Sequence, residues 1–245
     1  MEKALVVGGS NGIGMAIALT LHDRYDVTVI DRVPLSVELQ DKVHFEKFDL
    51  TNSDYSIFDR YNDIQLLMIT AGFGHLALFK DIEEDSILEY FQVNTIPVIR
   101  IIKHFYGRLT ADDDFFCGVM GSISGFMTSP FLSVYGATKA ALKIFIESIN
   151  VELEKTGSPN RILHVAPGSI KGTKFNGGTV NLTDCTLPLA HDIVTHLHQK
   201  SDLFIPDYET IYAKVLERYH QDFRSEGLHS YEYKLKSGRI KNNNK

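Results

Sequence analysis

A serine, a tyrosine and a lysine stand at a spacing that could bring three polar groups to one carbonyl: Ser122, Tyr135 and Lys139. Tyrosine is a weak acid with an ordinary pKa of ~10, so it transfers protons at neutral pH only when its surroundings stabilise the phenolate. Lys139 follows Tyr135 by four residues, and one turn of helix would place both side chains on the same face. We therefore predict that the lysine cation lowers the pKa of Tyr135, and that Ser122 arrives from elsewhere in the fold.

These residues need a scaffold, and the chain alternates short β-rich runs with amphipathic helical stretches. The sequence predicts strands at residues 4–7, 27–30, 43–48, 66–69, 115–120 and 162–165. It predicts helices at residues 13–24, 55–61, 82–109, 135–155 and 189–200. Repeated βα units with short connections indicate an α/β fold, a Rossmann-like doubly wound parallel β-sheet with helices on both faces.

Two segments are expected to depart from regular structure. Pro97 falls inside the longest predicted helix and has no amide hydrogen for the carbonyl of Val93, so the helix should kink there, beside Asn94. Residues 234–245 are polar, basic and rich in asparagine, which predicts a frayed tail without a catalytic role.

Length, charge and cysteine content narrow the classes of function. The 245 residues, 44% hydrophobic and 23% charged, predict a single domain over residues 1–245. The formal net charge of -6 argues against a general affinity for nucleic acid or an anionic membrane, and no window approaches the ~18 apolar residues of a membrane span. Cys117 and Cys185 form neither a disulfide framework nor a metal-ligand spacing. We expect a soluble, cytoplasmic protein without a metal site.

A glycine-rich turn follows the first predicted strand and opens the first helix, with the spacing G-x-x-x-G-x-G. Glycine lets backbone amides approach a pyrophosphate closely, and a helix N-terminus offers unpaired N–H groups and the positive end of its dipole. Such a turn by itself could be a tight strand-to-helix connection, but its place in a βα unit predicts a dinucleotide site. The residues predicted to hold the phosphates are Gly8, Ser10, Asn11, Gly12, Ile13 and Gly14.

Residues at the ends of the second and third strands bear on which dinucleotide binds. Asp31 could accept hydrogen bonds from the 2′- and 3′-hydroxyls of the adenosine ribose and would repel the 2′-phosphate of NADP, although it could also be only a turn residue. Arg32 favours NADP, because a guanidinium could pair with that phosphate or stack on adenine. Asp49, followed by Leu50, could accept a bond from the adenine amino group or cap a helix. NAD is the preferred cofactor, with NADP as the alternative.

Together these motifs resemble the short-chain dehydrogenases/reductases (SDR family), from residue 4 to about residue 173. The thirteen-residue separation of Ser122 and Tyr135 is that family's usual one, whereas Ser124 lies two residues too close. The resemblance implies a catalytic set of Asn94, Ser122, Tyr135 and Lys139. It implies further cofactor contacts from Ala71, Gly72, Tyr135, Lys139, Pro167, Gly168 and Ile170.

The resemblance also implies an activity, which is hydride transfer between a nicotinamide cofactor and a small-molecule alcohol or ketone. Tyr135 would carry the proton, and Ser122 would bind the carbonyl oxygen. Lys139 would hold the nicotinamide ribose, and Asn94 would anchor a water that links Lys139 to solvent. Family analogy implies a homodimer or homotetramer through the helices around Asn94 and Lys139.

The chain departs from the family pattern at several positions. Val7 stands at a usual threonine and Thr70 at a usual asparagine, so two stabilising hydrogen bonds are expected to be absent or replaced. Thr173 comes one residue later than the threonine that usually contacts the nicotinamide carboxamide. Backbone contacts from Ile170 are expected in its place. Residues 204–207 replace the usual glycine pair after the last strand, and the divergent region beyond them is a candidate for assembly.

Substrate contacts are expected from residues 73–78, 126–132 and 169–187, which follow the C-terminal ends of strands. Aromatic and apolar side chains there predict a partly apolar pocket, although each aromatic fits a core position better: Phe126, Met127, Phe131 and Phe175. Polar contacts are available from Thr173, Lys174 and Asn176.

Two alternatives belong to other classes. Extended relatives epimerise or dehydrate nucleotide sugars with the same tyrosine and lysine, but their glycine turn is G-x-x-G-x-x-G and they carry a large substrate domain. Met15 breaks that glycine spacing, and 245 residues leave no room for such a domain. The second alternative is a non-catalytic regulator that binds NAD(P) and a protein partner. The presence of Ser122, Tyr135 and Lys139 argues against it, because such a regulator would not need these side chains.

Overall fold

The computed structural model describes residues 1–170, 173, 185–238 and 240. Its strands form one parallel sheet in the order β3-β2-β1-β4-β5-β6-β7. They are β1 (Glu2–Val7), β2 (Tyr25–Asp31), β3 (His44–Lys47), β4 (Leu66–Ile69), β5 (Phe116–Met120), β6 (Ile162–Val165) and β7 (Leu203–Phe204). The order reverses between β1 and β4, which is where doubly wound sheets bind ligands. The predicted fold class is confirmed.

Helices cover both faces of this sheet. They are α1 (Gly12–Leu21), α2 (Glu84–Asn94), α3 (Ile96–His104), α4 (Tyr106–Leu109), α5 (Ser133–Lys155), α6 (Thr186–His198), α7 (Ala213–Gln221) and α8 (Phe223–Lys236). Among these residues no helix combines the length and apolar composition needed to cross a membrane.

The core lies in two layers because alternate strand residues point to opposite faces. Val6 and Met68 pack with α1 and α6 on one face, whereas Leu5 and Leu67 pack with α3 and α5 on the other. A parallel sheet that is covered on both faces reads as continuous apolar runs, which explains why the strands were recognisable in the sequence.

The helical regions differ from the sequence expectations in three places. The single helix predicted at 82–109 is divided into three helices, α2, α3 and α4. The first break, at Thr95, agrees with the interruption predicted from Pro97, and the second break is at Phe105. Residues 56–61 form a 3₁₀ helix rather than an α-helix. The predicted frayed tail was wrong at its start, because residues 234–236 complete α8 and Lys234 is buried there.

Candidate active site

The glycine turn brings β1, α1 and β4 too close for side chains. Gly8 has φ of +87°, and a Cβ there would overlap the backbone of Ala71. A Cβ at Gly14 would overlap the carbonyl oxygen of Gly8 and the hydroxyl of Thr70. Glycine is therefore required at both positions by the protein itself, before any ligand is considered.

Gly12 differs, because open space lies in front of it. Its φ is +56°, and among the described residues no atom outside its chain neighbours and the adjoining helix backbone lies within 4 Å of the place where a Cβ would stand. Gly12 is the first residue of α1, so this space faces the positive end of the helix dipole. Asn11 precedes it in extended conformation, and Ile13 behind it packs against the core. The turn thus has the shape and field to hold a pyrophosphate.

Asp31 fastens this turn to the end of β2. Its Oδ2 accepts a hydrogen bond from the Ser10 amide at 3.0 Å, and its Oδ1 accepts one from the Val33 amide at 3.2 Å. Ser10 is fully buried and its hydroxyl donates to the Val33 carbonyl, so its amide supports the turn through Asp31. The adjacent Arg32 is exposed. The carboxylate is a turn residue, and each of its oxygens keeps a further lone pair beyond these two bonds.

Asp49 closes a local turn beyond β3. Its Oδ1 accepts bonds from the amide and the hydroxyl of Thr51 at 2.9 and 2.8 Å. The amide bond is the main reason why the pKa of Asp49 is lowered. The carbonyl of Leu50 accepts from the Tyr55 hydroxyl at 2.7 Å. Asp49 caps this turn rather than a helix.

The departures at Val7 and Thr70 compensate for each other. The Thr70 hydroxyl donates to the carbonyls of Val7 and Gly8, at 3.1 and 2.9 Å. This bond pattern ties β4 to the glycine turn, so the stabilisation expected to be lost is replaced. Directly after it, a Cβ at Gly72 would lie 3.2 Å from Asn94 Oδ1 and 3.4 Å from Lys139 Nζ.

Asn94 is fully buried at the end of α2 and anchors the segment after β4. Its Oδ1 accepts from the Phe73 amide and its Nδ2 donates to the Phe73 carbonyl, both at 2.9 Å. Nδ2 also reaches the Thr138 hydroxyl of α5 at 3.3 Å. The side chain thus joins the Phe73 segment to the helix that carries Tyr135 and Lys139.

Ser122 and Ser124 follow β5 and have different partners. The Ser122 hydroxyl lies close enough to the Tyr135 phenol to lower the pKa of that phenol, and it accepts a bond from the Ser124 amide at 3.1 Å. The Ser124 hydroxyl instead donates to Ser129 at 3.3 Å. Of the two serines, Ser122 is the one that the fold brings to the tyrosine.

Tyr135 and Lys139 project together from the start of α5, with Lys139 Nζ 5.7 Å from the centre of the Tyr135 ring. Nζ donates to the Met120 carbonyl at 2.8 Å. Burial raises the pKa of Tyr135 to about 12, against the smaller opposite effect of the Ser122 hydrogen bond. Burial lowers the pKa of Lys139 to about 8. The expected lowering of the tyrosine pKa was therefore wrong for this state, because burial outweighs stabilisation of the phenolate.

The segment after β6 completes the site. The Pro167 carbonyl accepts from the Ile123 amide at 3.0 Å, which places Pro167 and Gly168 beside the serine. The Thr173 hydroxyl donates to the Ile170 carbonyl at 2.9 Å. Residues 171–172 and 174–184 lie outside the described residues, and the expected contacts of Lys174, Phe175 and Asn176 lie there.

The family model of the short chain dehydrogenases matches residues 2–181. This chain belongs to the short-chain dehydrogenase family. It is 29% identical over 227 residues to the short-chain dehydrogenase srdE of Neurospora crassa, covering 86% of this chain and 76% of that protein. It is 27% identical to the uncharacterized oxidoreductase YusZ of Bacillus subtilis, covering 82% and 75%. It spans 61% of the length of a yeast oxidoreductase, YDL114W, to which it is 25% identical.

Solved structures share the fold of this short-chain dehydrogenase. The alcohol dehydrogenase from the archaeon Thermococcus sibiricus, complexed with 5-hydroxy-NADP, has a TM-score of 0.69 and 21% identity, and the match covers 84% of this chain and 95% of that chain. A short chain dehydrogenase from Burkholderia cenocepacia in complex with NADP has a TM-score of 0.76 and 18% identity, covering 94% and 98%.

Sequence reasoning missed two neighbours of the site in this short-chain dehydrogenase. His164 is buried on β6, stacks on Phe126, and lies where a Cβ at Gly121 would overlap it. Tyr212 places its hydroxyl where a Cβ at Gly168 would stand. No local pattern marks either residue, because each becomes a neighbour only when distant segments pack. The only sequence signal is the glycine that faces each of them, Gly121 opposite His164 and Gly168 opposite Tyr212, because a glycine can leave room for a bulky neighbour.

Proposed function

We propose that this protein is an NAD(P)(H)-dependent oxidoreductase that interconverts a carbonyl compound and its alcohol. The observation that supports this best is the buried pair of Ser122 and Tyr135 beside the buried Lys139, at the sheet edge where the glycine turn opens. Membership of an oxidoreductase family agrees with it.

Each side chain has a distinct part in this proposal. Tyr135 donates a proton to the carbonyl oxygen or accepts one from the alcohol, and Ser122 donates a hydrogen bond to that oxygen as negative charge develops. Lys139 holds ribose hydroxyls on the nicotinamide side with the ammonium that now binds the Met120 carbonyl. The dinucleotide, when bound, supplies or accepts the hydride.

The raised pKa of Tyr135 determines which form of its side chain is present at neutral pH. Because burial raises the pKa of Tyr135 to about 12, the phenol is protonated at neutral pH. A protonated phenol is the form that gives a proton to a carbonyl oxygen, whereas oxidation of an alcohol needs the phenolate. We propose that Tyr135 acts as the proton donor from this protonated form when a carbonyl compound is reduced at neutral pH.

The pH dependence should show the state of Lys139. We expect kcat/KM for the reduced dinucleotide to fall as pH rises through about 8, because burial lowers the lysine pKa to about 8 and the neutral amine binds ribose hydroxyls less strongly. Tyr135, with its pKa raised to about 12, stays protonated over this range. The measurement is a pH profile of the wild type and of Lys139→Met. A wild-type profile that is flat through pH 8, or an unchanged decline in the variant, would contradict the assignment.

We propose that NAD(H) is preferred to NADP(H), because the Asp31 carboxylate is held in place by two amides at the end of β2 and would meet a 2′-phosphate as a like charge. Asp31→Asn should raise the affinity for NADPH relative to NADH by about tenfold, which corresponds to ~1.4 kcal/mol. Dissociation constants of both dinucleotides give this ratio. Asp26→Asn, at the other end of β2, serves as the control and should leave the ratio unchanged. Tighter NADPH binding by the wild type would show the preference to be wrong.

We propose that two or four copies assemble through the helices that flank the site. Exposed apolar side chains on α2, α3 and α5 support this proposal: Leu88, Ile96, Ile99, Ile144 and Val151. The divergent region is less suited to that role than expected, since part of it packs against the loop after Ser122. We also propose one domain over residues 1–245 and a cytoplasmic location, because a chain of this length with only two cysteines lacks the disulfide framework common in oxidising compartments.

The substrate proposed is a small carbonyl compound with apolar substituents. Phe126 and Met127 are partly buried in a cluster with Ile123 and Tyr212, next to Gly168. Phe131 belongs to the core instead, because only 4% of it is exposed. The test is a panel of ketones, hydroxysteroids, acyl thioester ketones and sugar alcohols, with the absorbance of the reduced dinucleotide as the readout. Absence of turnover with every class would count against the proposal.

A further inference from the structure

The segment between the proposed catalytic serine and tyrosine, residues 123–132, is here named the serine–tyrosine loop. Its two ends hold Ser122 and the first turn of α5, which carries Tyr135. Any shift of this loop would change the distance or the angle between the two hydroxyl groups. Proton transfer and oxyanion stabilisation both depend on that geometry.

Helix α8 inserts a lysine into this loop from a position over 100 residues later in the chain. Lys234 is 8% exposed, and its Nζ donates to the Ser129 hydroxyl at 2.7 Å and to the Pro130 carbonyl at 2.8 Å. Burial of an ammonium group is costly unless its hydrogen bonds are made. The two charge-assisted bonds therefore hold Lys234 and residues 129–130 of the serine–tyrosine loop in place against each other.

Hydrogen bonds continue from Lys234 to the proposed catalytic serine. Ser129 Oγ, which accepts from Lys234, also accepts from the Ser124 hydroxyl at 3.3 Å. The amide of the same Ser124 donates to Ser122 Oγ at 3.1 Å. With a lone pair occupied by that amide, the Ser122 hydroxyl is directed to its other neighbours, and one of these, the Tyr135 phenol, is close enough for Ser122 to lower its pKa.

The loop is also held under backbone strain at Phe131. Its φ is +67°, a left-handed conformation that bulky residues rarely adopt. The Tyr231 ring of α8 packs on the Phe131 ring with the centres 4.5 Å apart, and the Phe131 carbonyl accepts from the Ala77 amide at 2.9 Å. Contacts on two sides therefore keep the loop in a shape that it would not hold alone.

We propose that Lys234 is a positioning residue for catalysis, which acts through Ser129 and Ser124 to fix the Ser122 hydroxyl against Tyr135. The inference rests on the proposed oxidoreductase function, since it assigns Lys234 to that same site. It gives helix α8 a role in the reaction, although Lys234 belongs to the stretch 234–245, for which no catalytic role was expected.

The test compares Lys234→Met with Lys236→Met, an exposed lysine on the same helix. Lys234→Met should lower kcat for the best substrate of the carbonyl panel about tenfold, with a smaller change in KM, because Ser122 acts on charge that develops in the transition state. The dissociation constant of the dinucleotide should not change. Lys234→Arg should restore part of kcat, and Lys236→Met should match the wild type. Equal kcat values in Lys234→Met and Lys236→Met would overturn the proposal.

Amide hydrogen exchange separates this proposal from the proposed function. Exchange within residues 123–132 should become faster in Lys234→Met than in Lys236→Met, whether or not any carbonyl compound is turned over. Faster exchange in a wild-type-like fold supports the anchoring step even if the panel fails, whereas unchanged exchange contradicts it. If Lys234→Met does not fold, Ser129→Ala removes the shared acceptor but leaves the Pro130 carbonyl in place. That variant should also lower kcat, and a wild-type kcat would overturn the proposal.

Discussion

Replacement of Tyr135 by phenylalanine is expected to lower turnover of any accepted carbonyl compound by on the order of 10³-fold, because a positioned general acid contributes about 10²–10⁴-fold. Phenylalanine keeps the ring that packs with Tyr90, Leu132 and Val134. Only the hydroxyl group is lost, so the dissociation constant of the dinucleotide should change little. Steady-state kinetics and a binding titration of the same preparation give both numbers.

A matched control for this variant is Tyr25→Phe. Tyr25 is also buried, and its hydroxyl is hydrogen-bonded to His198 at 2.8 Å, at the opposite end of the strands. Loss of that bond should affect stability by about 0.5–1.5 kcal/mol and leave turnover unchanged. Wild-type turnover in Tyr135→Phe would remove the tyrosine from the reaction. An equal loss in both variants would point to the fold instead of the site.

Gly12→Ala is expected to weaken dinucleotide binding by roughly 10- to 100-fold, the equivalent of losing one hydrogen bond to a charged group. The protein itself has room for the added methyl group, since among the described residues no atom beyond the chain neighbours and the adjoining helix backbone lies within 4 Å of it. The methyl group would instead fill the space in front of α1 that we assign to the pyrophosphate. A titration with NADH and NADPH measures the loss.

Backbone strain is the competing explanation for Gly12→Ala, and Gly157→Ala controls for it. Gly157 follows α5 with φ of +79° and likewise has no described atom within 4 Å of its Cβ position, but it lies away from the proposed site. Both variants should lose about 1–2 kcal/mol of stability from the left-handed conformation. Only Gly12→Ala should lose affinity. Equal affinities in the two variants would mean that no phosphate lies at this turn.

The sequence was most informative where the pattern is local. Strands β4 and β6 have the predicted bounds, because each is a short apolar run between turn residues in a sheet covered on both faces. The break near Asn94 followed from the missing amide of Pro97. The break at Phe105 has no comparable marker. The spacing of Tyr135 and Lys139 placed them on one helix, as the structure has them.

Features that depend on packing between distant segments were beyond the sequence. From the nearby Lys139 cation we predicted a lowered pKa for Tyr135. The direction of the shift is set instead by how deeply the tyrosine is buried, which follows only from the packed fold. Asp31 had two possible roles, and the structure shows that its carboxylate holds the glycine turn without excluding a ribose contact. Lys234 stood in a polar, basic stretch, and nothing near it indicated a contact with Ser129.

Transfer of deuterium tests the central claim most directly. The wild type is incubated with a carbonyl compound accepted in the panel and with reduced dinucleotide that carries deuterium at nicotinamide C4, on the face that is transferred. The proposal predicts that the deuterium appears on the carbinol carbon of the alcohol product, and that Tyr135→Phe forms almost none of this product. An alcohol that takes this hydrogen from solvent, or consumption of the dinucleotide without any labelled alcohol, would contradict hydride transfer by this site.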